Sequence, residues 1–319
     1  MNRRAVTLVL LALAACLAFA LSTFCGSTGC GGGDSDIVWQ LRAPRTAAAF
    51  AVGGLLSLAG ALMQVLLRNP LADPYVLGVS GGSAAGAMLG LVFFPALAWS
   101  LQAGALSGAL LSMLLLMALA QKSLFTPLPA SSAPAGVRLI LTGVMIASAF
   151  GALLSLMLAL APDNTLRGMF FWLLGDLEGS RFYPLAWGVL ILAVGWALLA
   201  APQLNVLVHG DATAFLLGIR VGRLRLTTLL VASMATAAAV SVAGTIGFIG
   251  LVVPHAARLL LGNDQRLLLP ACVLAGGIAL VLADLLARTM AAPVQLPVGV
   301  ITVLVGVPVF LFLLARSRT

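Results

Sequence analysis

The sequence predicts an all-α membrane protein that crosses the bilayer ten times, and three observations carry the prediction. Hydrophobic residues make up 62% of the 319-residue chain and charged residues 8%, against about 45–50% and 25% in soluble domains. The apolar residues gather into runs of about 20, the length a span needs. The basic residues stand singly between those runs, so the formal charge of +8 reads as a topology signal and not as a nucleic-acid footprint. Nucleotide hydrolysis belongs elsewhere: the one lysine, Lys122, follows Gln121, and no phosphate-binding loop ending in Gly-Lys can form. No Cys/His spacing suits a metal and no cofactor motif is present.

Spans are predicted at 5–24, 44–67, 76–94, 97–120, 138–161, 184–201, 224–243, 246–262, 267–291 and 297–315. An even number puts both termini on one side. Twelve of the 17 basic residues then fall on that side, which the positive-inside rule makes cytoplasmic. Arg42, Arg45, Arg167, Arg181 and Arg288 fall outside and need a reason.

The first span carries Leu13, Ala14, Ala15 and Cys16, a tetrad that resembles a lipoprotein cleavage signal and is read here as part of the span. Cys25 and Cys30 follow in a glycine-rich outer loop, where an oxidising periplasm permits pairing and mobile free thiols are the alternative. The second span closes on RNPLADP, whose prolines and turn formers stop the helix at the cytoplasmic mouth. Gly78, Gly82, Gly86 and Gly90 make a four-residue ladder on the third span, a ridge that lets another backbone approach. A Pro/Ser/Ala segment joins spans four and five. Between five and six, Thr165 as N-cap and Gly175 as stop predict a short helix on or dipping into the outer face.

The longest interruption of the second half is 202–225, with Gly210, Gly218 and Gly222 as punctuation, Asp211 as its acid and two short amphipathic pieces. It reads as the place where a cytoplasmic motor grips a membrane pathway, against the alternative of a solvated connector. Gly244, Gly247, Gly250 and Pro254 make the eighth span short and bent. His255 beside that proline is a candidate functional histidine or a hydrogen-bonded structural one. Asp284 and Arg288, four apart on the ninth span, share a helical face; an ion pair is the structural reading and a proton relay the functional one.

The segments LRAPR (41–45), GLLSLAGALMQVLLRNPLADPYVLGVSGG (54–82), GFIGLVVPHAARLLLG (247–262), ADLLAR (283–288) and LPVGVITVLVGVPVFLFLL (296–314) resemble the FecCD family, membrane subunits of type II ABC importers for ferric siderophores, haem and vitamin B12. The resemblance implies one transmembrane permease domain over residues 1–319 with a cytoplasmic coupling loop at 203–225. It also implies a bacterial inner-membrane location, a second permease copy, most simply a homodimer in membrane lipid, two cytoplasmic ATPase subunits and a periplasmic substrate-binding protein. Arg42, Arg45 and Arg288 match arginines that dock the binding protein, for which a guanidinium fork facing a carboxylate is apt. Gly210, Asp211, Ala214, Leu217 and Gly218 match the ATPase-coupling motif, with Asp in place of the commoner Glu. Asn69 and Leu71 match a cytoplasmic gate; the loop 127–137 is expected to hold a second one but departs from the family pattern. A ferric siderophore is the first cargo expected, cobalamin the next and haem the third. The rival from another class is a proton-coupled transporter working through Asp284.

Overall fold

The computed structural model describes residues 3–26, 29–30, 35–97, 99–125, 135–178 and 182–316. The second gate loop expected from the sequence lies, over residues 127–134, outside the described residues.

The helices are α1 (Arg3–Phe24), α2 (Ala43–Leu66), α3 (Val79–Phe93), α4 (Ser100–Phe125), α5 (Ala135–Leu160), α6 (Asp163–Leu173), α7 (Tyr183–Leu207), α8 (Asp211–Leu216), α9 (Val221–Ala243), α10 (Ile249–Leu261), α11 (Gln265–Thr289) and α12 (Val298–Arg316). A π-helical stretch, Ile37–Arg42, leads into α2, and a 3-10 turn, Pro74–Leu77, leads toward α3. Eight helices among the described residues are long and apolar enough to cross a membrane. The other two expected spans, the third and the eighth, are the shorter helices α3 and α10.

The bundle is built around α2. Its apolar side chains from Ala51 to Met63 are all 0–1% exposed, because α7, α9, α10 and α11 surround it. Such closeness requires small residues at the crossings. A methyl group on Gly53 would overlap the Gly276 carbonyl of α11, and one on Gly60 the Gly250 carbonyl of α10. The predicted glycine ladder works in the same way: Gly82, Gly86 and Gly90 of α3 lie against the backbone of Gly108, Gly104 and Ser100 on α4. Gly78 does not belong to the ridge. At φ +80° it is the left-handed cap on which the 3-10 turn gives way to α3.

At about 1.5 Å per residue, α3 and α10 reach about 22 and 20 Å, less than a hydrocarbon core of about 30 Å. The non-helical backbone adjoining both helices carries polar groups that need partners inside the protein. They find them in each other. Tyr75 Oη donates to Ile246 O and accepts from Ile246 N, both at 3.0 Å, so one hydroxyl satisfies both backbone groups of a residue between α9 and α10. The end of α6 joins the same seam: Thr245 Oγ1 donates to Leu173 O, Asp176 N to Ala243 O, and Val298 N to Gly175 O. Replacing Tyr75 by phenylalanine is expected to cost about 1–3 kcal/mol, the penalty of stranding buried polar groups, read as a lower thermal unfolding midpoint of the purified permease.

Three local expectations are corrected and one open alternative is settled. The N-cap of α6 is Pro162, not Thr165; the fixed φ and extended ψ of Pro162 turn the chain one residue before Asp163, and the Thr165 hydroxyl donates back to Pro162 O at 2.9 Å. Helix α7 runs through Pro202 to Leu207, since burial of Leu204 and Leu207 outweighs the hydrogen bond that the proline removes. Only one of the two amphipathic pieces of the 202–225 interruption is a separate helix, α8; the other is the first turn of α9, which starts at Val221. Cys25 and Cys30 form a disulfide across a two-residue antiparallel ladder, Cys25 opposite Cys30 and Gly26 opposite Gly29.

Candidate functional site

Two clusters of polar residues occupy opposite ends of the bundle. At the end bearing α8, the chain leaves α7 and turns through Gly210, whose φ of +116° is a conformation open to glycine. Asp211 opens α8 and gathers two arginines on Oδ2: Arg225 of α9 and, at 3.3 Å, Arg68. Arg68 follows α2 and is itself in the left-handed region, at φ +49°. The next residue, Asn69, accepts Leu71 N on its Oδ1 at 2.9 Å and shapes the turn on which Leu71 stands 44% exposed. One ion pair thus fastens α8 to the turn that carries Asn69 and Leu71. Within α8, Ala214 is fully buried against its neighbours, while Phe215, Leu216 and the residue that caps the helix, Leu217, are 56%, 83% and 65% exposed. Gly218, at φ +77°, returns the chain toward α9.

At the other end, Asp284 is fully buried and central. Arg45 meets its Oδ1 through Nε and Nη2, both at 2.9 Å, and Arg288 lies with Nε 3.0 Å from its Oδ2. Arg45 also donates to Gln295 Oε1 at 2.7 Å. Arg288 donates to Ser22 O and Oγ on α1, and the Ser22 hydroxyl meets Thr46 Oγ1 at 3.0 Å. Arg42 donates to Phe24 O at 3.1 Å. The side chains of Arg45 and Arg288 are 11% and 6% exposed, and Arg42 is 7% exposed. Of the three arginines expected to face outward, Arg45 and Arg288 are folded onto one carboxylate, and Arg42 is held at the Phe24 carbonyl. The cluster carries an excess of positive charge at low exposure, where a charge acts more strongly than on an open surface.

The remaining candidates separate from these clusters. Arg167 stacks its guanidinium over Phe171 at 5.7 Å, and Arg181 lies outside the described residues. His255 is 7% exposed, has no hydrogen-bond partner for either ring nitrogen among the described residues, and meets Phe310 edge-on at 6.2 Å. It is neither a hydrogen-bonded structural residue nor a member of either cluster. No group of three or more His, Cys, Asp or Glu able to hold a metal is found among the described residues. Reading the sequence missed Ser22, Tyr75, Arg225 and Gln295. Ser22, Tyr75 and Gln295 acquire their roles from partners far away in the chain, and Arg225 from Asp211, 14 residues before it; no local pattern marks them.

A bundle around one buried helix, with eight helices of membrane-spanning length among the described residues and ionic clusters at both ends, is the architecture of a multi-pass membrane protein. The chain matches the FecCD transport family over residues 5–316 and belongs to it. It is 41% identical over 284 residues to the cobalamin import system permease protein BtuC of Halobacterium salinarum, covering 88% of this chain and 74% of that one. It is 40% identical over 288 residues to the vitamin B12 import system permease protein BtuC of Vibrio cholerae, covering 89% and 84%. Among solved structures, a transporter assigned to the metal-chelate ABC type and caught facing inward superimposes with a TM-score of 0.88 at 28% identity, covering 97% of this chain and 99% of that one. The PsaBC complex of Streptococcus pneumoniae, at 17% identity and a TM-score of 0.56 over 84% and 89% of the chains, is a likeness of fold alone. The chain is accordingly a translocation component, and ATP hydrolysis belongs to a separate subunit.

Proposed function

We propose that the chain is the membrane permease of an ATP-driven importer that carries a metal chelate inward by alternating access. Two copies enclose the pathway, two ATPase subunits grip them at α8 from the cytoplasm, and a binding protein delivers cargo at the Asp284 end. The observation that carries this reading is the Asp211–Arg68 ion pair. A push on α8 reaches the Asn69–Leu71 turn through it, without passing through flexible chain. At the opposite end, the positive excess of Arg42, Arg45 and Arg288 suits carboxylates on a delivering partner. Asp284 holds Arg45 and Arg288, and Phe24 O holds Arg42, in a fixed orientation before docking.

The names of the two relatives favour cobalamin as cargo, ahead of the ferric siderophore expected from sequence, with haem third. The test is uptake into proteoliposomes holding the permease, its ATPase and its binding protein, with cobalamin, a ferric hydroxamate, a ferric catecholate and haem offered in parallel. Uptake of one chelate that requires ATP is the expected result; uptake that ignores ATP and follows a proton gradient would overturn the reading. In the same vesicles, Asp211→Ala is expected to lower ATP-driven uptake about 5–150-fold, the range of a coupling free energy of about 1–3 kcal/mol, with the ATPase subunits still attached. Wild-type uptake by that variant would show that the push does not travel through Asp211.

A further inference from the structure

Beside the Arg68–Leu71 turn lies a cavity of about 280 Å³ that the coupling reading does not use, walled by Gln64, Arg68, Asn69, Val208, Arg258 and Gln265. It is open at the end of the bundle that bears α8. Its charge is unbalanced. Arg68 shares its one carboxylate, Asp211, with Arg225, and Arg258 has no carboxylate within ion-pairing distance among the described residues. The other carboxylate close by, Asp264, accepts from Asn205 Nδ2 and Arg266 N.

Two further groups on these walls lack partners. Gln64 is 3% exposed and Gln265 1%. Each spends its amide nitrogen on a backbone carbonyl, Leu251 O and Asn263 O, which fixes the orientation of the amide and leaves Oε1 without a donor among the described residues. Both Oε1 atoms are sealed from solvent, so what the open part of the cavity asks for is negative charge, which an acidic side chain on a protein segment supplies.

We propose that this cavity is a second docking point for the cytoplasmic ATPase subunit, entered by an acidic segment of that partner. The inference rests on the reading of α8 as the ATPase grip, and two observations extend the interface from there. Arg68 belongs both to the cavity wall and to the ion pair with α8. The exposed Phe215 and Leu216 of α8 and its capping Leu217 provide an apolar knob alongside the basic recess, which together match a partner surface with an apolar groove flanked by acid. Docking then joins α8 and the gate turn by two routes, one through Asp211 and one through the partner itself.

The experiment measures the affinity of the purified ATPase subunit for the permease in lipid nanodiscs across a salt series, with Arg258→Glu, Arg258→Gln and, in α8, Leu216→Asp as variants. Arg258→Glu is expected to weaken binding about thirtyfold or more, the effect of breaking a desolvated charge contact. Arg258→Gln should weaken it less and reduce its salt dependence. If Leu216→Asp weakens binding and neither Arg258 variant does, the second docking point is wrong and the α8 grip stands. If none of the three weakens it, both fall. Should Arg258→Glu lower the unfolding midpoint of the permease alone, the Arg258→Gln salt series decides: an unchanged slope overturns the proposal. An Arg258-dependent stabilisation of the permease by inorganic phosphate, with ATPase affinity unchanged, would show a small-anion pocket and overturn it as well.

Discussion

Replacing Asp284 by asparagine is expected to destabilise the permease by about 3–5 kcal/mol, the loss that follows when one partner of a buried ion pair is removed. The side chain keeps its shape but not its charge, and both Arg45 and Arg288 then face a neutral group in a site where Asp284 has no exposure. Because Arg288 also holds Ser22 of α1 and Arg45 holds Gln295, the damage spreads to the packing of α1 and to the segment before α12. A thermal unfolding series in detergent, with uptake measured on whatever folded protein survives, separates the two readings of this residue. A variant with wild-type stability and no transport would restore the proton-relay reading. A destabilised variant whose folded fraction still transports fits the role that the geometry assigns.

Gly60→Val should be more damaging still. Overpacking a core costs about 1–3 kcal/mol where side chains can shift, but the atom in the way here is the carbonyl of Gly250. Relief requires α2 and α10 to separate, and with them the seam that Tyr75 closes. The expected result is loss of monodisperse protein on purification. Gly188→Val on α7 serves as the control, since no atom lies within 4 Å of its added Cβ. Equal yields of the two would mean that the α2–α10 crossing is looser than its glycines require.

Much of this molecule is legible in its sequence where the determinants are local. The helices lie close to the apolar runs, Asp284 and Arg288 pair at the i, i+4 spacing that predicts it, and the glycines of α3 face a neighbouring backbone as their ladder implies. What sequence reasoning cannot supply is the partner across the fold. Arg45 and Asp284 are 239 residues apart, Tyr75 and Ile246 171, and Arg68 and Asp211 143. Each of these polar groups has many candidate partners along the chain, and only the packing of α2 among its neighbours selects one. Arg45 illustrates the limit: its type and position are visible in the sequence, yet the carboxylate that it meets is identified only by the fold. Element ends were missed for a related reason, since burial of Leu204 and Leu207 carries α7 past a proline that local propensity treats as a stop.

The near-complete burial of α2 bears on how the protein is made. A helix enclosed on all sides is among the first to leave the ribosome, while the last member of its enclosure, α11, is complete only roughly 220 residues later, about 10–45 s at ordinary rates of synthesis. Until α10 arrives for Gly60 and α11 for Gly53, these faces must rest against lipid or an insertion factor. Ala48, Ala49, Ala51 and Ala59 make α2 apolar enough to wait in the bilayer, yet slender enough to be enclosed when its neighbours arrive.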